Sequence, residues 1–229
     1  VGKPLRQQYM QYTGVSGEEL EGATYIKFFY GHLIEAMIVA LARTSGHTVE
    51  GQQKEVECGG VKGHLDGYID GVLVDVKSAS TKGFKKFKQN KLHEDDPFGY
   101  IGQLKAYANA EDQEQFGWVV MDKTTGQLCT LMYDVNDKEA PYAEAIDYSI
   151  EEHIKNVKDA MVAAEPPPKC YEDIPVGSNG NRGLAMGCAF CSYKHECWEG
   201  LREFKYANYT QYLTVVDNKP RGEEIPSGF

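Results

Sequence analysis

Asp66, Asp75 and Lys77 are the residues whose types and spacing could do chemistry together. They lie in the segment Val61–Lys77, Val-Lys-Gly-His-Leu-Asp-Gly-Tyr-Ile-Asp-Gly-Val-Leu-Val-Asp-Val-Lys. Asp70-Gly71 is a two-residue hairpin signal. With those residues as the turn, Ile69 pairs with Val72, Gly67 with Val74 and Leu65 with Val76, which makes one apolar face. The other face pairs Tyr68 with Leu73, Asp66 with Asp75 and His64 with Lys77. That register sets two carboxylates across from each other with β-carbons roughly 4.5–5.5 Å apart. Like charges so placed repel unless a cation lies between them, and Mg²⁺ takes its oxygens from one or two carboxylates plus water and phosphate. Lys77, on the same face, could polarise an attacking water or steady a pentavalent phosphate. The plainer alternative is a solvated polar hairpin face.

Three further groups could serve such a centre. Glu35 is the only charge between Leu33 and Ala42. Buried alone it would cost several kcal/mol, on the order given for an uncompensated buried charge. A metal or cation would offset that, and so would exposure on an amphipathic helix. Gln103 and Tyr107 are four apart and share a helix face; both can hydrogen-bond to phosphate or base, or simply be a surface Gln and a core Tyr. Lys82–Lys91 holds five lysines, Lys85, Lys86 and Lys88 among them, with Phe84 and Phe87 interleaved. Lysines suit a phosphate backbone and aromatics can stack on unpaired bases. A solvated helix with two core Phe fits the same run, and its place just after the Asp-Val-Lys strand favours binding.

Cys188, Cys191 and Cys197 form a second constellation, with two and then five residues between them. Such thiolate spacing suits Zn²⁺ or an iron–sulfur cluster. Cys170, just after Pro166-Pro-Pro168, is the nearest candidate for a fourth ligand, and His195 is another. Cys58 and Cys129 fall in expected strands and read as small core residues.

These groups need elements to hold them. Glu18–Arg43 reads as a long helix, with Tyr25, Phe29, Leu33, Met37 and Leu41 at helical spacing. Lys54–Lys77 is strand-like, broken by Gly and Asp-Gly. Pro97–Asn109 reads as a helix with Pro97 near its first turn. Phe116–Met121 and Gln127–Tyr133 read as strands, and Lys138–Ala164 as a helix ended by the proline run. The remainder reads as a loop-rich tail. The order predicts an α/β domain with a mixed, mainly antiparallel central sheet flanked by helices. Residues 1–165 are expected to form that core, with 166–229 as a cysteine-rich tail packed on it.

Composition bounds the reading. The 229 residues are 41% hydrophobic and 25% charged, ordinary for a globular chain. The net charge of −10 counts mildly against nucleic-acid binding, although carboxylates that hold cations contribute to it. The cysteine spacing indicates a reducing compartment rather than disulfides. The apolar run Leu33–Ala42 is too short to span a bilayer, no segment reads as a signal peptide, and no membrane association is expected.

Gly63-His-Leu-Asp66 followed by Val74-Asp75-Val-Lys77 resembles the Gly-x-x-Asp and Asp-x-Lys core of the RecB-like PD-(D/E)XK nucleases. Gly31-His-Leu-Ile-Glu35 resembles that family's helical Gly-x-x-x-His/Glu element, and Gln103-Leu-Lys-Ala-Tyr107 its Gln-x-x-x-Tyr element. All four stand in the family's order. The cysteine tail resembles that of the AddB-type and CRISPR-associated RecB-like nucleases, which carry a [4Fe–4S] cluster. Their fourth cysteine lies upstream of the Glu-bearing helix, whereas this chain has none before Cys58.

The resemblance implies a restriction-endonuclease-like core and a Mg²⁺- or Mn²⁺-dependent deoxyribonuclease. The expected activity is that of an exonuclease on single-stranded DNA or duplex ends, leaving 5′-phosphates, in replication, recombination or end processing. It makes Glu35, Asp66, Asp75 and the Val76 carbonyl metal ligands, Lys77 the water-activating group, and Gln103 and Tyr107 positioners of the strand. It implies a helicase or recombination partner and the cytoplasm of a bacterial or phage-infected cell. Two rivals differ in class: a catalytically inactive DNA-binding scaffold on the same fold, and a zinc or iron–sulfur protein whose cysteine tail is the functional centre. A nuclease assay with and without Mg²⁺ separates them.

Overall fold

A computed structural model describes residues 2–226. In chain order the elements are α1 (Leu5–Tyr12), α2 (Gly22–Thr44), β1 (Val49–Glu50), β2 (Glu55–Cys58), β3 (Val61–His64), β4 (Gly67–Ile69), β5 (Val72–Ala79), α3 (Thr81–Lys88), α4 (Tyr100–Ala110), β6 (Gln115–Asp122), β7 (Leu128–Asp134) and α5 (Ile150–Ala163). After them come β8 (Ile174–Pro175), β9 (Arg182–Gly183), α6 (Met186–Ala189), α7 (Lys194–Cys197), β10 (Arg202–Lys205), β11 (Thr210–Val215) and β12 (Glu223–Ile225). They form two compact units, Val1–Lys3 with Leu20–Lys155, and Pro4–Glu19 with Asn156–Phe229. This division departs from the expected 1–165 and 166–229: the N-terminal segment joins the cysteine-bearing unit, and the break falls inside α5.

The first unit is a mixed α/β layer structure. Its sheet runs β1-β4-β5-β6-β7, antiparallel except for the parallel β5–β6 pair. Strand alternation sorts its side chains. Leu73, Phe116, Trp118 and Val120 face Phe84, Phe87, Ile101 and Leu104 of α3 and α4. Val76, Val119 and Met121 face Ile34 and Ile38 of α2. With both faces covered, β6 is apolar almost throughout. β2 and β3 form a separate two-stranded ribbon.

Several sequence expectations shift here. α4 begins at Tyr100 rather than Pro97, because Gly99 adopts a left-handed φ of 71° and the Asp96 carboxylate accepts from the Ile101 N–H at 2.8 Å. The helix expected from Lys138 starts only at Ile150. Before it the chain makes irregular turns anchored by Tyr142, whose ring stacks 3.9 Å from that of Tyr133. α2 has 23 residues and, over its whole length, is long and apolar enough to cross a bilayer by composition. It docks on the sheet through Ile34 and Ile38.

The second unit is not a loop-rich tail. Its sheet runs β12-β10-β11-β9-β8, antiparallel throughout. Phe204 and Leu213 are fully buried within this unit. Leu184, Cys188 and Leu201 pack together with Trp198 and Tyr212 around them.

Candidate active site and cysteine cavity

The Asp-Gly turn forms as expected. Asp70 and Gly71 both take positive φ, 51° and 82°, and the register is Ile69↔Val72, Tyr68↔Leu73 and Gly67↔Val74. The ladder stops there. His64 pairs with Glu55 in the β2–β3 ribbon instead of opposing Lys77. Leu65 joins the α3/α4 core rather than opposing Val76. Gly67 allows the departure: its φ is 146°, and a β-carbon there would lie 2.8 Å from the Glu50 carbonyl.

Where β4 leaves β5, the β5 edge loses its strand partner, and Asp66 fills the gap. Its Oδ2 accepts from the Val76 N–H at 2.7 Å. Asp75, one residue before, is 7% exposed. Lys77 Nζ lies 2.9 Å from Asp75 Oδ1 and 2.7 Å from Oδ2. Only the Oδ1 contact has hydrogen-bond alignment, so buried Oδ2 has a close cation but no aligned donor. Lys77 also sits over the Tyr100 ring, 4.9 Å from its centroid. Tyr100 is a contact the sequence did not single out; its only signal was a place one helical turn before Gln103.

The electrostatics follow from burial and crowding. Burial, then the Asp75 charge, push Asp66 up to about 7, against the lowering effect of the Val76 hydrogen bond and Lys77. Glu35 adds a smaller upward push. Burial works against the Lys77 charge, but the charge and hydrogen bond of Asp75 outweigh it, and its pKa rises. Two carboxylates and an ammonium thus lie within electrostatic reach of one another. Glu35 is not buried alone: Gln53 Nε2 donates to its Oε1 at 2.9 Å, and His32 lies 3.8 Å from its Oε2. Among the described residues no three His, Cys, Asp or Glu side chains converge as a ready metal cage.

Asp66 yields a pH prediction. Its folded pKa lies above the unfolded value of about 3.9, so folding favours the protonated form. That contribution to stability is complete below the unfolded value and is lost as pH rises through about 7. A cation held by Asp66 would compete with the same proton. Mn²⁺ should therefore raise the melting temperature clearly at pH 8 and far less at pH 5.5, read by thermal melts with and without the ion. An equal rise at both pH values would contradict this.

The supporting groups fall differently. Tyr107 is buried, and its hydroxyl accepts from Gln103 Nε2 at 3.4 Å. It fits against Gly63, where a β-carbon would lie 2.3 Å from that hydroxyl. Tyr107 is therefore a core residue that steadies Gln103 rather than one presented to a ligand. Phe84 and Phe87 are also core, 3% and 4% exposed, which removes the base-stacking reading. Their burial turns Lys82, Lys85 and Lys88 outward on α3. Lys86 is tied to Asp95, through the carboxylate and through the carbonyl at 3.1 Å.

In the second unit Cys170, Cys188, Cys191 and Cys197 all line one small cavity, with Met10 and Trp198 among its other walls. α6 supplies Cys188, the turn after it Cys191, and α7 ends on Cys197. Burial raises the pKa of Cys170 and Cys191, and lifts that of Cys188 to about 11. Neighbouring thiols add to each of these shifts. The Tyr193 N–H donates to Cys191 Sγ at 3.4 Å. His195 is not part of the cavity wall and contacts Glu203 at 3.2 Å. Cys58 is buried and donates to the Ala106 carbonyl; Cys129 is half-buried against the core.

No family model and no curated protein sequence matches the chain. Among solved structures it is similar to LHK-Exo in complex with dAMP, at 12% identity and a TM-score of 0.47, over 70% of this chain and 80% of that one. A phage related exonuclease from Haemophilus somnus 129PT gives 15% identity and a TM-score of 0.47, over 70% and 82%. SSO0001 gives 13% and 0.38, over 84% and 94%. Likenesses this loose leave the function to be read from the site itself.

Proposed function

We propose that the first unit is a Mg²⁺- or Mn²⁺-dependent deoxyribonuclease of the PD-(D/E)XK type, acting as an exonuclease on single strands or duplex ends. The observation that carries this is the Asp66–Asp75–Lys77 arrangement. Half-buried Asp66 and buried Asp75 stand at a strand break, the first lifted to about 7 and the second with an oxygen lacking an aligned donor. A divalent cation there, held by Asp66, Asp75 and Glu35 with the Val76 carbonyl, would polarise the phosphate and acidify its bound water. Lys77 keeps its proton beside Asp75 and offers positive charge to the pentavalent phosphate. Gln103, steadied by Tyr107, donates to a strand oxygen. Hydrolysis leaves a 5′-phosphate.

The test is cleavage of end-labelled linear single-stranded and duplex DNA, with closed circular DNA beside them, in Mg²⁺, Mn²⁺ or EDTA. Shortening of the linear substrates alone, abolished by EDTA, is expected. Cutting of circles would make the enzyme an endonuclease, and no cutting at all would favour the scaffold reading.

Lys82, Lys85 and Lys88 face outward on α3, which directly follows β5 and suits contact with the phosphate backbone. Replacing all three by Gln should weaken binding to single-stranded DNA. It should also flatten the log K against log salt slope by up to about 2, at roughly 0.7 per phosphate contact. An unchanged slope would return α3 to a solvated surface.

For the second unit the proposed cofactor is a [4Fe–4S] cluster, with Zn²⁺ as the alternative, on Cys170, Cys188, Cys191 and Cys197. Four soft thiols lining one cavity support it. A helicase or recombination partner and a cytoplasmic setting in a bacterial or phage-infected cell complete the reading.

A further inference from the structure

We infer that the outer face of α2 is an interface between two copies of this chain, joined antiparallel about a two-fold axis at Leu33. The observation is an uncovered apolar seam. Ile26, Phe29, Tyr30, Leu33, Met37 and Leu41 are 69, 63, 51, 50, 42 and 45% exposed. They lie on an arc of the helix beside the stripe of Ile34 and Ile38, which docks on the sheet. Their spacing of three and four residues is that of a helix–helix seam. Lys27, His32 and Arg43 all fall to the sides of this arc, so no charge interrupts it.

The area matches a partner's share. Tyr25 and Phe28 are exposed as well but lie off this arc, so only the six seam side chains count. Taking about 200 Å² for each when fully exposed, the six leave roughly 640 Å² of apolar surface. That exceeds the ~300–600 Å² patch of an ordinary monomer and lies within one partner's share of a standard interface, about 600–1,000 Å².

The order of residues along the seam selects a second copy. Its N-terminal half is bulky, with Ile26, Phe29 and Tyr30, and its C-terminal half is small or pliable, with Ala36, Met37 and Ala40. A two-fold at Leu33 sets Ile26 against Ala40, Phe29 against Met37 and Tyr30 against Ala36 of the other copy. Bulk then fills space on both sides, as an isologous interface requires. A parallel pair would oppose bulk to bulk. The helix dipoles also oppose favourably in the antiparallel arrangement, and exposed Glu21 at one end reaches the end that carries Arg43 on the other copy. A bilayer is the poorer occupant, since α2 is docked along one side on the sheet and carries Glu35 at its middle.

Sedimentation velocity of the full chain at micromolar concentration tests this, independently of any nuclease activity. The wild type should sediment as a dimer. Leu33→Glu should raise the dimer dissociation constant about 100-fold or more, with an unchanged circular dichroism spectrum. Should that variant misfold, Leu33→Cys decides. Mild oxidation should give a reducible covalent dimer above the wild-type background from Leu33→Cys and not from Thr44→Cys, since position 44 meets the opposite end of its partner. A monomeric wild type, or equal cross-linking at both positions, overturns the proposal. So does a monomer that floats with neutral phosphatidylcholine vesicles, which would assign the seam to a bilayer.

Discussion

Asp75→Ala is expected to lose at least about 10³-fold in DNA cleavage, because one residue removes both the proposed cation ligand and the anchor of Lys77. The Lys77 contact of Asp75 sets the expected sign of the accompanying stability change. Opposed carboxylates alone suggest that removing one relieves repulsion and raises the melting temperature of the metal-free protein. Asp75, however, also holds Lys77, which is 22% exposed at its side chain against 10% for Asp75. Asp66, pushed up to about 7, already sheds much of the repulsion by taking a proton. Breaking a buried pair costs about 3–5 kcal/mol. With Lys77 still partly in water, about 2 kcal/mol is the better expectation, a fall of roughly 4–8 °C. Cleavage and thermal melts of the same preparation check both halves. Asp75→Asn should match Asp75→Ala in lost cleavage while costing less stability. A folded Asp75→Ala protein with wild-type cleavage would remove the catalytic reading.

Cys197→Ser is expected to act the other way round, on stability before chemistry. Its thiol shares a cavity wall with Cys170, Cys188 and Cys191, and the unit around it has a small core. A bound metal or cluster would supply much of that unit's folding energy. Losing a ligand worth about 2–3 kcal/mol should lower the unit's melting temperature by roughly 10–20 °C. Metal should be released, and Trp198, on the same wall, should become more exposed by fluorescence. Cys170→Ser should do the same, whereas Cys129→Ser should not. Cleavage measured well below the melting temperature should stay within about twofold. Anaerobically purified protein should absorb near about 400 nm if iron–sulfur is present and be colourless with zinc. Elemental analysis with neither iron nor zinc would dismiss the site.

What could be read from the residues depended on how local the determining contacts are. The hairpin was legible because an Asp-Gly turn and strict alternation fix the register within a few residues. Its end was not, because the ladder stops for reasons set elsewhere: the Glu50 carbonyl against Gly67, and the pairing of β3 with β2. The core role of Phe84 and Phe87 was undecidable until the sheet face beneath them was known. α4 was placed too early because Pro97 looked like a first-turn residue, when the stop is Gly99 and the cap is Asp96. The second sheet was invisible because β8, β9 and β12 have two or three residues each, too few to show a period. The four cysteines were legible as a set because side chains with one chemical use were close in sequence. Cys170 joins them across Tyr171–Gly187, yet it still lines the same cavity.

The path of the chain through its two units carries a consequence for how the protein is made. Pro4–Glu19 belongs with Asn156–Phe229, and the whole of Leu20–Lys155 intervenes. A chain emerging from the ribosome can close its carboxylate-bearing unit while its partner is still being translated. The early segment must wait unpaired meanwhile. Gln7 and Met10 wall the cysteine cavity, Glu18 pairs with buried Lys194, and Arg6 donates to the Pro167 carbonyl at 2.6 Å. None of these contacts exists until the residues after Asn156 have been made. The cysteine unit therefore closes after the carboxylate-bearing one, its thiols remain open to metal loading or oxidation until then, and removal of Pro4–Glu19 would strike it rather than the hairpin.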